Sequence, residues 1–369
     1  MSKLLYVFDA RDWHSRIPVA DEACKNGINV SLAVINAKEQ SFDSDYPITY
    51  LQQTGRNLNP LSTLKLIRDM RQLIALENPD IMHVVTLKYS FMAGLAALRF
   101  KGTRKIFTLA GLGYVFRSAG WRPKLLKTFL SPVFKFVFKR SLTHLIFQNQ
   151  DDRNLFIESG YVGESNTTLI KGSGIDLERF KVVCDEQPDQ PPLVLMPTRL
   201  IREKGIAVFI EAATILKEKG VDAQFQIAGG LTLDNPGALT QADMDALLDG
   251  SAVEWLGHVA DMPALLARAT LIVYPSYYGE GIPRVLLEAC AAGKAIITTD
   301  HPGCREAIMH GEGGFLVPIK DTYATAEAIH DLLQNPEQIK SMGERNYRRA
   351  CTEFDIRVIA ERTAKLYDK

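Results

Sequence analysis

Apolar runs of three to six residues alternate with amphipathic stretches along nearly the whole chain. In the first half the runs are Leu4–Phe8, Val30–Ile35, Ile81–Val85, Lys105–Leu109 and Leu145–Phe147. They are short and largely without polar alternation, as expected of strands covered on both faces. Helical spacing predicts helices near 17–26, 61–77, 89–99, 123–140 and 151–159. The second half repeats the scheme, with strands at Leu193–Met196, Gln224–Ala228, Val253–Trp255, Leu271–Tyr274, Ala295–Thr298 and Gly314–Val317. Helices are expected between them near 204–219, 241–249, 261–268, 283–292 and 303–309. This βαβα alternation predicts an α/β chain with two Rossmann-like, doubly wound parallel sheets, one per domain. Ligands on such sheets lie beyond the carboxyl ends of the strands, so the working site is expected in a cleft that the two domains face.

A chain of 369 residues exceeds one ordinary core. The expected boundaries are 1–180 for the first domain, 181–192 for a polar, proline-rich linker and 193–350 for the second domain. The remainder, 351–369, reads as a helix long enough to pack back on the first domain. Net charge is zero, but 1–180 carries 24 Lys and Arg against 16 Asp and Glu, and the remainder carries 19 against 27. The two halves therefore suit different partners. Five scattered cysteines, with no Cys-x-x-Cys and no Cys/His cluster, argue against structural zinc and more strongly against a disulfide framework, which suggests a reducing compartment. The opening Met1–Asp9 reads as a strand rather than a signal peptide, and no run reaches the length of a membrane span.

The densest chemistry lies in Tyr274-Pro-Ser-Tyr-Tyr-Gly-Glu280-Gly281-Ile282-Pro283-Arg284-Val-Leu-Leu-Glu288. It reads as a strand, a glycine loop and a helix whose first position is Pro283. Free N–H groups at such a helix start suit a phosphate. Glu280 and Glu288 would repel that anion, so they suit the hydroxyls of a sugar or a ribose. A second anion element opens the domain: Pro197-Thr-Arg199-Leu-Ile-Arg-Glu-Lys204-Gly205, with two cations at the same sheet edge. By itself this stretch fits a solvated basic loop equally well. Ala228-Gly-Gly230 and Leu256-Gly-His258-Val259 are further strand ends in glycine, where backbone can approach a ligand closely. The residues alone give His258 no role.

From Ile81 to Gln150 there is no Asp or Glu. The stretch holds twelve cations, among them Lys88, Arg117, Arg122, Lys124 and Lys127, and Trp121 to Arg140 interleaves them with aromatic and aliphatic residues. Such a helix suits an anionic membrane surface, although some of its phenylalanines must be core. Nucleic acid is the competing polyanion, but no recognised motif supports it. Asp43-Ser-Asp45 and Asp243-Met-Asp245 fit a metal-binding Asp-x-Asp pattern on paper. Both read as solvated acids, and no metal or other cofactor is expected.

These elements, followed by Gly293-Lys-Ala-Ile-Ile-Thr298, Gly303-Cys-Arg-Glu306 and Gly314-Phe-Leu-Val-Pro318, resemble in one order the donor domain of GT-B-fold retaining glycosyltransferases of family 4. The resemblance implies that Arg199 and Lys204 bind a nucleotide diphosphate. Glu280, with the backbone of Gly281, Ile282 and Pro283, would hold the donor sugar. Glu288 would bind ribose, and the loops of Gly230 and of His258-Val259 would lie by the nucleotide. Phe107-Thr-Leu-Ala-Gly111-Leu-Gly113-Tyr-Val-Phe116, with Ser15-Arg16-Ile-Pro18, is similar to the subgroup that adds N-acetylhexosamines to sugars on undecaprenyl diphosphate. Gly111, Gly113, Arg16, Arg117, Arg122, Lys124 and Lys127 become acceptor or membrane candidates. The chain departs from the family in lacking a glycine-rich loop after the first strand and a histidine near Ala110-Gly111, for which His14 and His83 are the nearest substitutes.

The expected activity is thus retaining, metal-independent transfer of GalNAc or GlcNAc from a UDP-sugar to a polyprenyl-diphosphate-linked sugar in surface-polysaccharide or glycoprotein assembly. The expected place is the cytoplasmic face of the inner membrane. Two alternatives stay open: a non-hydrolysing UDP-sugar epimerase, and a catalytically idle membrane-bound assembly scaffold.

Overall fold

The computed structural model describes residues 1–37, 42–52, 60–112, 116, 121–181, 190–232, 235 and 237–368, without the side chains of 121–124 and 126. The linker residues 182–189 and two acceptor candidates, Gly113 and Arg117, lie outside the described residues, as do the side chains of Arg122 and Lys124. The chain forms two compact units. One comprises Met1–Gly174, Gly279–Gly281 and Ile356–Lys369; the other comprises Ile175–Tyr278 and Ile282–Asp355.

The first unit holds β1 (Lys3–Asp9), β2 (Asn29–Ile35), β3 (Ile48–Leu51), β4 (Ile81–Val85), β5 (Arg104–Leu109), β6 (Thr143–Phe147) and β7 (Thr167–Leu169). They form one parallel sheet in the order β3-β2-β1-β4-β5-β6-β7. The order reverses between β1 and β4, which makes that gap the switch point of the sheet. β1 is buried from Leu4 through Asp9, because helices cover both faces. Leu5 and Val7 pack towards Leu66, Met70, Met92, Phe134 and Phe138. Leu4, Tyr6 and Phe8 pack towards Val19, Ala20, Ile359, Ala364 and Tyr367, so the C-terminal helix Ile356–Ala364 belongs to this core. Periodicity missed β3 and β7, the two edge strands, whose residues are mostly half-exposed and carry a thin apolar signal.

The second unit holds β8 (Leu193–Pro197), β9 (Gln224–Ala228), β10 (Val253–Trp255), β11 (Leu271–Tyr274), β12 (Ala295–Thr299) and β13 (Gly314–Val317). The order β10-β9-β8-β11-β12-β13 repeats the same winding, all parallel, with its switch point between β8 and β11. The expected end of the first domain at residue 180 moves back to Gly174. The reason is burial: Ile175, Leu177 and Phe180 pack with Leu195, Ile272 and Leu287 in the second core. Residues 351–355 also stay with the second unit, held by Phe354 in that core.

Candidate functional site

The switch point of the second unit is built from the loops after β8 and β11. The loop after β8 turns through the 3₁₀ segment Arg202–Lys204 and leaves it at Gly205, whose φ is 82°. A Cβ added there would overlap the carbonyl of Pro275, so the two loops touch at this glycine. The Tyr277 N–H donates to the Glu203 carbonyl at 2.9 Å, and the Tyr277 hydroxyl donates to the Arg202 carbonyl at 3.3 Å. From β12, Thr298 donates to the Tyr274 carbonyl at 2.7 Å and Thr299 to the Ser276 carbonyl. Side-chain donors thus fix the backbone of 274–278 before any ligand arrives, which is how a preorganised site is made.

Lys204 lies inside this frame. It is 2% exposed, its ammonium donates to the Tyr274 hydroxyl at 2.5 Å, and it stands 4.9 Å from the centre of the Tyr278 ring. A solvated basic loop is therefore not what forms here. Arg199, two residues beyond β8, is exposed and has no side-chain partner among the described residues. Asn235 donates to the Tyr278 hydroxyl at 3.3 Å, bracing the ring that covers the lysine. Sequence reasoning missed Tyr274 and Tyr278 as partners of Lys204. Tyr278 belongs to a double aromatic in the glycine loop and Tyr274 ends β11, and both read equally well as core.

Pro283 is not the first helical residue, as expected, but the residue before it. Its φ and ψ of −56° and 124° are extended, and the helix runs Arg284–Ala291. Its carbonyl accepts from the Leu286 N–H at 3.0 Å, which leaves the N–H groups of Arg284 and Val285 at the positive end of the helix. Gly281, Ile282 and Pro283 are buried at this entry, and Glu280 is half-buried. One turn into the helix, Glu288 accepts from Arg284 Nε at 3.1 Å, with its side chain 19% exposed. Burial pushes the Glu288 carboxyl up from the usual range, while Arg284 and Arg179 pull it back.

The neighbouring strand ends come close through glycine. A Cβ on Gly229 would overlap the Thr198 carbonyl, joining the ends of β8 and β9. A Cβ on Gly230 would sit 3.4 Å from His258 Cβ, at the end of β10. The Gly229 carbonyl accepts from Trp255 Nε1 at 2.8 Å. His258 is exposed and Val259 half-buried.

In the first unit the two substitute histidines part company. His14 is exposed. His83 is 1% exposed, sits between the Tyr367 hydroxyl at 2.6 Å and the Thr108 hydroxyl at 2.7 Å, and stacks on Tyr6. Burial drives its pKa down to about 3, so it is neutral and structural. Arg16, expected at an acceptor or membrane surface, is 5% exposed and lies beside Tyr6 in the core. Gly111 follows β5 at a φ of 108°. Lys127 stands 5.3 Å from the Phe116 ring centre. The second Asp-x-Asp pair is also reassigned: Asp243 closes a capping box with Thr240 and pairs with Arg202 at 2.6 Å. Asp43 and Asp45 are exposed. Among the described residues no three His, Cys, Asp or Glu side chains gather as a metal site, and no helix is long and apolar enough to cross a membrane.

With this geometry in view, residues 3–149 match the family model described as glycosyl transferase 4-like, and residues 183–349 match glycosyl transferases group 1. One relative is the N,N'-diacetylbacillosaminyl-diphospho-undecaprenol alpha-1,3-N-acetylgalactosaminyltransferase of Campylobacter jejuni, 29% identical over 97% of this chain and 95% of that protein. The capsular polysaccharide biosynthesis glycosyltransferase CapM of Staphylococcus aureus is 24% identical over 93% and 90%. Among solved structures, the sucrose-phosphate synthase of Thermosynechococcus elongatus superposes with a TM-score of 0.83 at 18% identity, covering 100% of this chain and 98% of that one. HepE of Anabaena, solved with UDP, superposes at 0.77 and 18% identity, covering 99% of both chains. The chain belongs to the GT-B glycosyltransferases, with a glycosyl transferase 4-like first half and a group 1 second half.

Proposed function

We propose that the chain is a retaining, metal-independent glycosyltransferase that moves an N-acetylhexosamine, GalNAc or GlcNAc, from a UDP-sugar to a sugar on a polyprenyl diphosphate. The observation that carries this reading is Lys204: a cation 2% exposed, fixed between Tyr274 and Tyr278 at the switch point of the second sheet. A cation held rigidly at the sheet's switch point before the bond breaks is complementary to the charge that develops on a leaving nucleotide diphosphate. Arg199 adds a second cation, and the N–H groups of Arg284 and Val285 add a third positive element. Charge already in place when the sugar–phosphate bond breaks can replace a divalent ion. Glu288 offers an oxygen to ribose hydroxyls, and Glu280 one to the transferred sugar.

In the proposed step the bond from the anomeric carbon to phosphate breaks and that from the anomeric carbon to the acceptor oxygen forms on the same face. The acceptor proton passes to the departing phosphate oxygen. Placement and charge then account for the rate without an enzymic nucleophile.

The acceptor class is supported by the C. jejuni relative, whose substrate is an undecaprenyl-linked sugar, and by the capsular relative. It is supported further by the helix Trp121–Phe138. Phe134, Val137 and Phe138 are buried there, while Leu125, Phe129 and Phe136 are exposed on the outer side near Lys135 and Lys139. An exposed apolar stripe among cations, without acids, suits an anionic membrane from one side, here the cytoplasmic face of the inner membrane.

The experiment is a panel of UDP-sugars against polyprenyl-diphosphate-linked acceptors, read by mass spectrometry with and without EDTA. A mass increment of one N-acetylhexosamine, insensitive to EDTA, is expected. Conversion of a UDP-sugar without acceptor, seen in a donor-only NMR time course, would point to epimerisation instead.

A further inference from the structure

The switch point of the first sheet carries a charged cluster that the proposed function does not use. Asp9, the last residue of β1, is 2% exposed and accepts five bonds. These come from the Arg11 backbone N–H at 3.2 Å, from Arg11 Nε at 2.7 Å and Nη2 at 3.3 Å, from Asn36 Nδ2 at 3.0 Å and from the Tyr89 hydroxyl at 3.1 Å. Asn36 also donates to Tyr89 at 2.9 Å. The carboxylate is saturated, so it serves as a platform and not as a ligand for anything more. Arg11 spends only part of its fork on it and is otherwise 82% exposed. Lys88, three residues after β4, stands 5.6 Å from the Tyr89 ring centre and is half-buried. It has no carboxylate partner among the described residues. Burial and the Arg11 charge hold its pKa below the usual lysine range, against the pull of Asp9.

Backbone strain converges on the same place. Thr86, immediately after β4, holds a φ of 78°, and Asn36, immediately after β2, one of 62°. A β-branched residue rarely adopts that region, and such strain persists where surrounding structure imposes it for a purpose. The Thr86 hydroxyl is also buried without a partner among the described residues.

We propose that the carboxyl ends of β1, β2 and β4 form a phosphate site in which Arg11 and Lys88, seated on Asp9 and Tyr89, hold the diphosphate of the acceptor. Two cations lie by one carboxylate, which of the two bonds Arg11 alone, so the cluster has a positive excess that a phosphate would neutralise. The weaker influence of Asp12 on Arg11 leaves the lysine untouched. This deepens the proposed function and rests on it for the source of the anion.

The test begins with calorimetric titration of inorganic pyrophosphate into the full chain saturated with UDP, which occupies the donor site. Wild type and Lys88→Arg should bind; Lys88→Met and Arg11→Gln should each weaken binding about tenfold or more. No binding by wild type, or equal binding by all four, overturns the site. Next, initial rates are compared for a polyprenyl-diphosphate-linked acceptor and a soluble glycoside of the same sugar. Lys88→Met should raise KM for the first about tenfold while leaving KM for the UDP-sugar and the glycoside unchanged. An equal rise for both acceptors overturns the phosphate role. If wild type uses no lipid-linked acceptor, the proposed function fails, and the pyrophosphate titration still decides this site.

Discussion

His83 and Tyr367, 284 positions apart, share a buried hydrogen bond of 2.6 Å across the core of the first unit. The histidine pKa falls from 6.5 to about 3 because burial penalises its charged form. Below pH 6.5 the unfolded chain takes up a proton there and the folded chain does not, so stability present at neutral pH is lost as pH falls from 6.5 towards 3. The slope should approach 1.4 kcal/mol per pH unit, roughly, in the middle of that window. Urea melts of a Trp255→Phe variant, which keeps tryptophans only in the first unit, would show this slope. His83→Gln should flatten it; an unchanged slope would mean another group is responsible.

Lys204→Ala should lower kcat by about 10²–10³, the cost of one preorganised partner of the leaving group. Lys204→Arg should not restore it, since the space between Tyr274 and Tyr278 is shaped for an ammonium. Tyr274→Phe should give a smaller loss, of about tenfold, by releasing the ammonium from its hydrogen bond. Steady-state rates with saturating acceptor distinguish the three, and near-wild-type turnover in Lys204→Ala would remove the lysine from the site.

Glu288 has its carboxyl pushed up by burial, so it begins to take a proton at a higher pH than an exposed glutamate does. Protonation removes an acceptor from the ribose hydroxyls, and donor KM should therefore rise as pH falls through the acidic range. Glu288→Gln should raise donor KM about tenfold at neutral pH and abolish this pH dependence. A pH profile of the variant identical to wild type would assign the titration elsewhere.

Phe129 and Phe136, 71% and 54% exposed, are expected to enter the lipid interface. The double change to serine should lower partitioning onto phosphatidylglycerol vesicles, read by sedimentation, about a hundredfold or more, at about 1.5–3 kcal/mol per buried ring. Turnover of a soluble acceptor should stay as in wild type. Equal sedimentation would remove this face from the membrane.

Strands buried on both faces, such as β1 and β8, stood out in the amino-acid pattern because every residue contributes to an apolar run. The edge strands β3 and β7 did not, since half-exposed residues such as Thr49 and Thr168 carry no periodicity. Arg199 and Lys204 were legible as cations between a strand and a helix. Their difference was not: Lys204 is buried because Tyr274 and Tyr278, about seventy positions later, close over it. Arg16 was misplaced because Ser15 and Ile17 beside it say nothing of Tyr6, which it meets across the core. Thr240-x-x-Asp243 could have been read as a capping box from its spacing alone. The Asp9 cluster was hidden altogether, since its members come from three strand ends that only the sheet order brings together.

The helix Ile356–Ala364 and Tyr367 complete a core whose first strand begins at Lys3. On the ribosome, β1 to β7 emerge early and must wait for the last few residues of the chain before Leu4, Tyr6 and Phe8 are fully covered. The second unit, closed by Asp355, is finished first although it is encoded later. A released chain ending at Asp355 should therefore carry a protease-resistant second unit and a protease-sensitive first one. A message truncated by as little as one helix would yield a protein with its second unit built and its first unit unfinished.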